Sequence, residues 1–145
     1  TMHALVMIFG VVMPAFTGLA NWMIPIMIGG PDMALPRMNN YSFWIMPFAF
    51  SMLLSTLFMD GGAPAGGWTL YPPLSLQTGD AFPFLIFAIH FMGLSSIMGA
   101  INIVATTFWT DVIPVEWCLS YHRLMWGFIV FTCFHRCSFV FICVH

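Results

Sequence analysis

The chain has 145 residues, of which 61% are hydrophobic and only 6% are charged, with a formal net charge of −2 at pH 7. Soluble domains carry about a quarter charged residues, so three basic and five acidic side chains do not suffice for a water-facing surface. This composition excludes an ordinary soluble globular protein, and without an excess of basic residues nucleic acid is not an expected partner.

The few charged residues leave long uncharged runs at 1–31, 38–59, 81–110 and 124–135. A membrane-spanning helix needs about 20 largely apolar residues. The first three runs reach that length, and the fourth does so only if Arg136 is carried inside it. The sequence therefore predicts an all-α fold, a polytopic bundle of transmembrane helices embedded in lipid.

The first predicted helix covers about 2–28, and its small and polar residues recur so that they fall on one stripe at about 100° per residue. The stripe consists of His3, Gly10, Pro14, Thr17 and Asn21. Lipid accepts neither small nor polar groups well, so this stripe predicts the face that meets other helices. Pro14 is expected to kink the helix. Because the chain starts inside a hydrophobic run, we expect an internal fragment rather than a signal peptide.

The next elements are a predicted loop at 29–40, which is rich in turn-forming residues, and a second helix at about 41–59. The stretch 60–80 holds so many Gly and Pro residues that it is predicted to be non-helical. Trp68 and Tyr71 in this connection suit the level of the lipid headgroups.

The third predicted helix covers about 82–108, with Ser95, Asn102 and Thr106 on one face. His90 lies inside it without a polar neighbour one turn away, so a hydrogen-bonded packing role is expected for it. His3 allows three readings from spacing alone: a haem-iron ligand, a proton relay or a hydrogen bond to a neighbouring helix.

A second group of polar residues allows two interpretations. Asp32, Asn39 and Asn40 are predicted to share the first loop, with Asn21 two turns up the preceding helix. They are either turn formers in a solvated loop or the start of a polar path in which Asp32 collects protons. Polar residues of the third helix either continue that path or make interhelical hydrogen bonds. They are Ser95, Ser96 and Asn102.

Residues 109–145 differ in character from the rest, with a possible fourth helix at 124–144. The alternation Cys133-x-His135-x-Cys137 points its groups in different directions on a helix, which argues against a metal site. Arg37 and Arg123 lie in the first and third connections, so the positive-inside rule predicts that these face the cytoplasm.

Four strings, Thr1–Pro14, Ala20–Asn40, Gly67–Leu74 and Ala88–Asn102, closely resemble helices II to IV, with their loops, of subunit I of the haem–copper cytochrome c oxidases. The resemblance covers about 1–108. It implies that the chain is a fragment of the catalytic 12-helix subunit. The amino-acid sequence around Asp32 resembles cytochrome c oxidases more than quinol oxidases. After Thr107 the family's loop does not follow, so 109–145 is expected to be a divergent tail, from a frame slip or a truncated gene.

The resemblance also implies site residues and cofactors. His3 matches an axial ligand of the low-spin haem, of the haem a type, and Asp32 matches the entrance of a proton channel. Asn21, Asn39, Ser95, Ser96 and Asn102 match polar positions along or near that channel. Arg37 and His90 are assigned structural roles. The ligands of the high-spin haem and of the copper centre CuB come from other helices of the family, so the fragment alone is not expected to be active.

The parent reaction implied by the resemblance takes electrons from cytochrome c, reduces O₂ to water and moves protons across a bacterial plasma membrane or mitochondrial inner membrane. Its implied partners are a copper-carrying subunit II and subunit III. Three alternatives remain: the quinol-oxidase branch, a non-redox proton or ion transporter, and an inert membrane remnant.

Overall fold

The structure, a computed structural model, describes residues 1–77 and 79–109, with side chains as far as Thr107. Helix α1 spans Met2–Ile28, α2 spans Pro36–Ser55 and α3 spans Ala81–Trp109. No strand occurs within these ranges, so the predicted all-α fold is confirmed. The predicted fourth helix at 124–144 and the rest of the tail lie outside the described residues.

All three helices are long and apolar enough to cross a membrane, α2 together with the 3-10 turn that extends it to Phe58. They expose large apolar side chains along their length, including Trp22, Trp44 and Phe87. Apolar surface of this extent is unfavourable in water and suits a lipid environment. The chain is therefore an integral membrane protein.

Helix α1 contains a π-helical segment, Val6–Val12, between two α-helical parts. At the end of this segment the N–H of Met13 donates to the carbonyl of Ile8, five residues back. Pro14 follows directly, and its ring leaves it without an N–H to donate. Local π-helical turns are one way in which helices accommodate such a break in the hydrogen-bond ladder.

The polar stripe predicted for α1 is only partly buried within the described part of the chain. The buried residues of α1 are all apolar: Leu5, Phe9, Ala20, Ile24 and Ile28. They repeat every four residues in each part of the helix, which is the spacing of one helical face. The residues of the stripe are half-buried, and His3 is exposed. One stripe residue, Gly10, does lie against another helix, next to the Phe50 ring of α2, and the role of the rest of the stripe stays a prediction.

The prediction that the first loop extends through Asn40 was wrong, because α2 begins at Pro36. Helix α1 ends at Ile28 in a Schellman arrangement, in which Gly30 N–H donates to Pro25 O and Gly29, at φ +73°, donates to Ile26 O. Pro36 then starts α2, since its fixed φ suits the first helical position, where no N–H is needed. Asn39 and Asn40 are therefore helical.

The connection predicted to be non-helical at 60–80 contains one 3-10 turn, Leu74–Gln77. Gly67 has φ +74°, a conformation that side chains disfavour, and its N–H donates to Thr1 Oγ1 at 2.8 Å. Trp68 and Tyr71 are exposed, as side chains at a membrane surface would be.

The helices divide between two compact units. The first unit comprises Thr1–Ala15 and Trp44–Met92, and the second comprises Phe16–Phe43 and the described residues from Gly93 on. Within the first unit, buried Leu53 and Leu85 form part of the core. The core of the second unit is a separate cluster of apolar residues: Ala20, Ile24, Ile28, Met33 and Ile103.

Helices α1 and α2 approach closely at Gly10 in the first unit. A Cβ atom on Gly10 would lie 2.5 Å from Phe50 Cε2, so the ring would have to move. We expect Gly10→Ala in the full-length subunit to lower stability by about 1–3 kcal/mol through overpacking. Gly18→Ala is the matched control, since nothing lies within 4 Å of that position. Thermal inactivation in detergent measures the difference, and equal midpoints for the two variants would contradict this prediction.

Candidate functional site

His3 lies in the first turn of α1, before the π-helical segment, and its side chain is exposed. The imidazole has no hydrogen-bond partner within residues 1–77 and 79–107. Both ring nitrogens are therefore available to a group outside this part of the chain. An intramembrane imidazole without a partner is costly in lipid, and imidazole is a strong ligand of haem iron.

His90 differs from His3 in this respect. Its Nδ1 lies 2.8 Å from the carbonyl oxygen of Ile86, one turn earlier in α3. Since a carbonyl only accepts, Nδ1 carries the proton and donates. The local bond agrees with the hydrogen-bonded role expected for His90, although the side chain is exposed rather than packed in the described structure.

Asp32 lies in the short connection between α1 and α2, with its side chain exposed. Its Oδ1 accepts a hydrogen bond from the N–H of Met33 at 2.8 Å, and the side chain of Met33 is buried in the core of the second unit. The carboxylate is thus bonded to the backbone of Met33, whose side chain is buried, while it remains open to solvent. The oxygens of an exposed carboxylate can accept hydrogen bonds from water.

Two buried side chains of α3 bind the connection that follows Asp32. The N–H of Ala34 donates to Thr106 Oγ1 at 2.9 Å, and the N–H of Leu35 donates to Asn102 Oδ1 at 3.0 Å. These bonds satisfy two backbone donors that belong to no helix. The Nδ2 of Asn102 has no hydrogen-bond partner in the described part of the chain, although Asn102 is fully buried.

A third polar contact joins α2 and α3 within the second unit. The hydroxyl of Ser95, which is buried, donates to the carbonyl oxygen of Ser42 at 2.6 Å. The hydroxyl of Ser42 in turn donates to the carbonyl oxygen of Asn39 at 2.7 Å. Elsewhere in this unit, Nδ2 of Asn21 donates to the carbonyl oxygen of Thr17 at 3.0 Å.

The residues proposed from the sequence for a polar path all belong to the second unit: Asn21, Asp32, Asn39, Ser95, Ser96 and Asn102. His3 belongs to the first unit. Sequence reasoning left Ser42 and Thr106 out of the site. Thr106 lies on the same face of α3 as Asn102. Ser42 shares a face of α2 with Asn39, because α2 begins at Pro36.

The arrangement combines an exposed carboxylate, buried hydroxyls and a buried amide whose N–H groups have no partner among the described residues. Amides and hydroxyls can both donate and accept hydrogen bonds, so they are suited to holding ordered water. Groups of three or more His, Cys, Asp or Glu side chains that could hold a metal ion do not occur within the described ranges.

Two comparisons with known proteins show what the chain is similar to. The sequence model of the family described as Cytochrome C and Quinol oxidase polypeptide I matches residues 1–144. Over 110 residues the chain is 47% identical to cytochrome c oxidase subunit 1 of Mytilus edulis, which covers 73% of the chain and 20% of that relative. The family match thus extends past Phe108 to residue 144, into the segment that the sequence was expected to show as a divergent tail.

Proposed function

This chain belongs to the family of cytochrome c and quinol oxidase polypeptide I, and we propose that it contributes to the catalytic subunit of a terminal respiratory oxidase. In this proposal the subunit uses electrons from cytochrome c to reduce O₂ to water and couples the reaction to proton translocation. The observation that carries it is the exposed imidazole of His3, which has no partner among the described residues, at the start of a membrane-spanning helix.

His3 would hold the iron of a low-spin haem, of the haem a type, through one ring nitrogen. Its position fits this role, because the imidazole projects from α1 and is not engaged by any described residue. When bound, such a haem accepts and passes on single electrons. The part of His3 would be to hold the iron and to supply a strong-field ligand. The high-spin haem and CuB would be held by residues of other segments of the subunit.

Asp32 would collect protons at the entrance of a polar path. The residues that would hold water along the path are Asn39, Asn21, Ser95, Ser96 and Asn102. What supports this is that Asp32 is exposed, while Ser95, Ser96 and Asn102 are buried polar residues on α3. The competing interpretation is that Asp32 only forms a turn and that the α3 residues only join helices.

The partners in this proposal are a copper-carrying subunit II, subunit III, cytochrome c and O₂, in a bacterial plasma membrane or mitochondrial inner membrane. The family description also includes quinol oxidases, so the quinol-oxidase branch is the second candidate. It would use the same site with a different electron donor.

The proposal predicts that the full-length subunit, purified with its partner subunits, oxidises reduced cytochrome c with matching O₂ uptake. Spectrophotometry of the donor and an oxygen electrode measure the two rates. Activity with a quinol and none with cytochrome c would select the quinol branch. A purified subunit without haem absorbance would overturn the oxidase proposal and favour the non-redox transporter.

A further inference from the structure

The connection after Asp32 is held by side chains of α3 rather than by its own turn. Thr106 Oγ1 accepts the N–H of Ala34, and Asn102 Oδ1 accepts the N–H of Leu35. Donor and acceptor are 72 residues apart in the first bond and 67 in the second, and all four residues belong to the same unit. One turn of α3 thus presents two acceptors to two successive backbone donors.

Both acceptors are buried side chains of α3. Thr106 is 3% exposed and Asn102 is 0% exposed, whereas Ala34 and Leu35 are exposed. The Thr106 hydroxyl also donates to the carbonyl oxygen of Asn102 at 2.6 Å, which fixes the direction of its proton and leaves its lone pairs for Ala34. The buried helix face therefore sets the position of an exposed loop.

The position of Asp32 follows from these contacts. Its carboxylate accepts the N–H of Met33, whose side chain is buried, and Ala34 comes next. A carboxylate that is bonded to its own backbone moves with that backbone. Releasing the N–H of Ala34 or Leu35 would free the loop and let Asp32 sample other positions.

We propose that Thr106 and Asn102 are positioning residues for Asp32, an inference that rests on the proposed role of Asp32 in proton uptake. Neither needs to carry a proton to act in this way. The Oδ1 of Asn102 accepts the loop N–H, and its Nδ2, which has no partner among the described residues, is left to donate to water on the path. Thr106 acts on proton uptake through Asp32 alone.

The first test is hydrogen–deuterium exchange of the loop in the full-length, assembled oxidase. Thr106→Val keeps the shape but removes the acceptor, and we expect exchange at Ala34 to rise about tenfold, as loss of one hydrogen bond allows. Thr107→Val is the matched control, since Thr107 only donates to the carbonyl oxygen of Ile103 at 2.8 Å. Thr106→Ser should restore slow exchange.

Asn102→Leu gives a second reading, because it should release Leu35 even if Thr106→Val fails to assemble. Unchanged exchange of the loop in both variants, or the same rise in Thr107→Val, would overturn the proposed contacts. This arm does not depend on what Asp32 does.

The second test is the rate of proton uptake in vesicles, measured for Thr106→Val with Asp32 present and in an Asp32→Asn background. If Thr106 acts through Asp32, the variant slows uptake in the first case and adds nothing in the second. An equal further loss in the Asp32→Asn background would overturn the positioning role. If Asp32→Asn alone leaves uptake unchanged, the proposed function of Asp32 fails and the positioning role fails with it, while the exchange result stands.

Discussion

Replacing His3 with alanine in the full-length, assembled oxidase is expected to abolish the low-spin haem spectrum. An alanine side chain offers no nitrogen to the iron, so one strong-field axial ligand is lost and the spin state changes. The side chain of His3 makes no hydrogen bond in the described structure. Its removal should therefore leave the local fold of α1 intact, which separates loss of the ligand from loss of the protein.

His90→Ala is the matched control, since it removes the other imidazole in the described ranges, whose Nδ1 already donates to Ile86 O. We expect a normal low-spin spectrum for this variant. Added imidazole should partly restore the low-spin signal of His3→Ala by entering the vacated position. An unchanged spectrum in His3→Ala would show that His3 is not a haem ligand.

Replacing Asp32 with asparagine is expected to slow turnover and to impair proton translocation most. Asparagine keeps an Oδ1 that can accept the Met33 N–H, so the substitution removes the charge and leaves the loop in place. A positioned proton-transfer group contributes about 10²–10⁴-fold in enzymes, so we expect a loss of at least about tenfold in proton uptake. Oxygen uptake and proton release in vesicles measure the two effects.

Asp60→Asn is the control for Asp32→Asn, because Asp60 is another exposed carboxylate and lies in the first unit. It should leave both rates unchanged, and the haem spectra of both variants should be normal. Full turnover with full proton release in Asp32→Asn would reduce Asp32 to a turn-forming residue.

The helices themselves could be predicted from the sequence because uncharged runs of membrane length leave the backbone no other way to satisfy its hydrogen bonds in lipid. The start of α2 could not be predicted from the sequence in this way. Asn39 and Asn40 favour turns, but Pro36 supplies a helix start before them, and the N–H of Asn39 donates to Leu35 O at 3.0 Å. The local preference of the two asparagines was overridden by the residue that precedes them.

The buried apolar face of α1 could not be predicted from the sequence for a different reason. A stripe drawn at 100° per residue assumes one uninterrupted α-helix, and the π-helical segment Val6–Val12 breaks that period. Within three helices, moreover, burial of Leu5, Phe9 and Ile24 outweighs the pairing of polar groups. Polar residues of the stripe remain half-buried or exposed.

The site was partly predictable. Asp32 and the polar residues of α3 were found because charged and amide groups are rare in such apolar runs. Ser42 and Thr106 were not selected, since hydroxyl residues are common in membrane helices and usually bond within their own turn. The bond from Ala34 to Thr106 depends on where the chain returns after α1, which no local pattern encodes.

The contacts between α3 and the loop depend on the identity of the amino acids on the α3 side only. Ala34 and Leu35 take part through their backbone N–H groups, and both side chains are exposed. Nineteen amino acids supply the same donor, so natural variants can drift at these two positions while Thr106 and Asn102 stay fixed. Substitutions at 34 and 35 would then show no correlation with substitutions at 102 and 106. Proline is the exception, because it has no N–H, so a proline at 34 or 35 would mean that the hydrogen bond to α3 is lost.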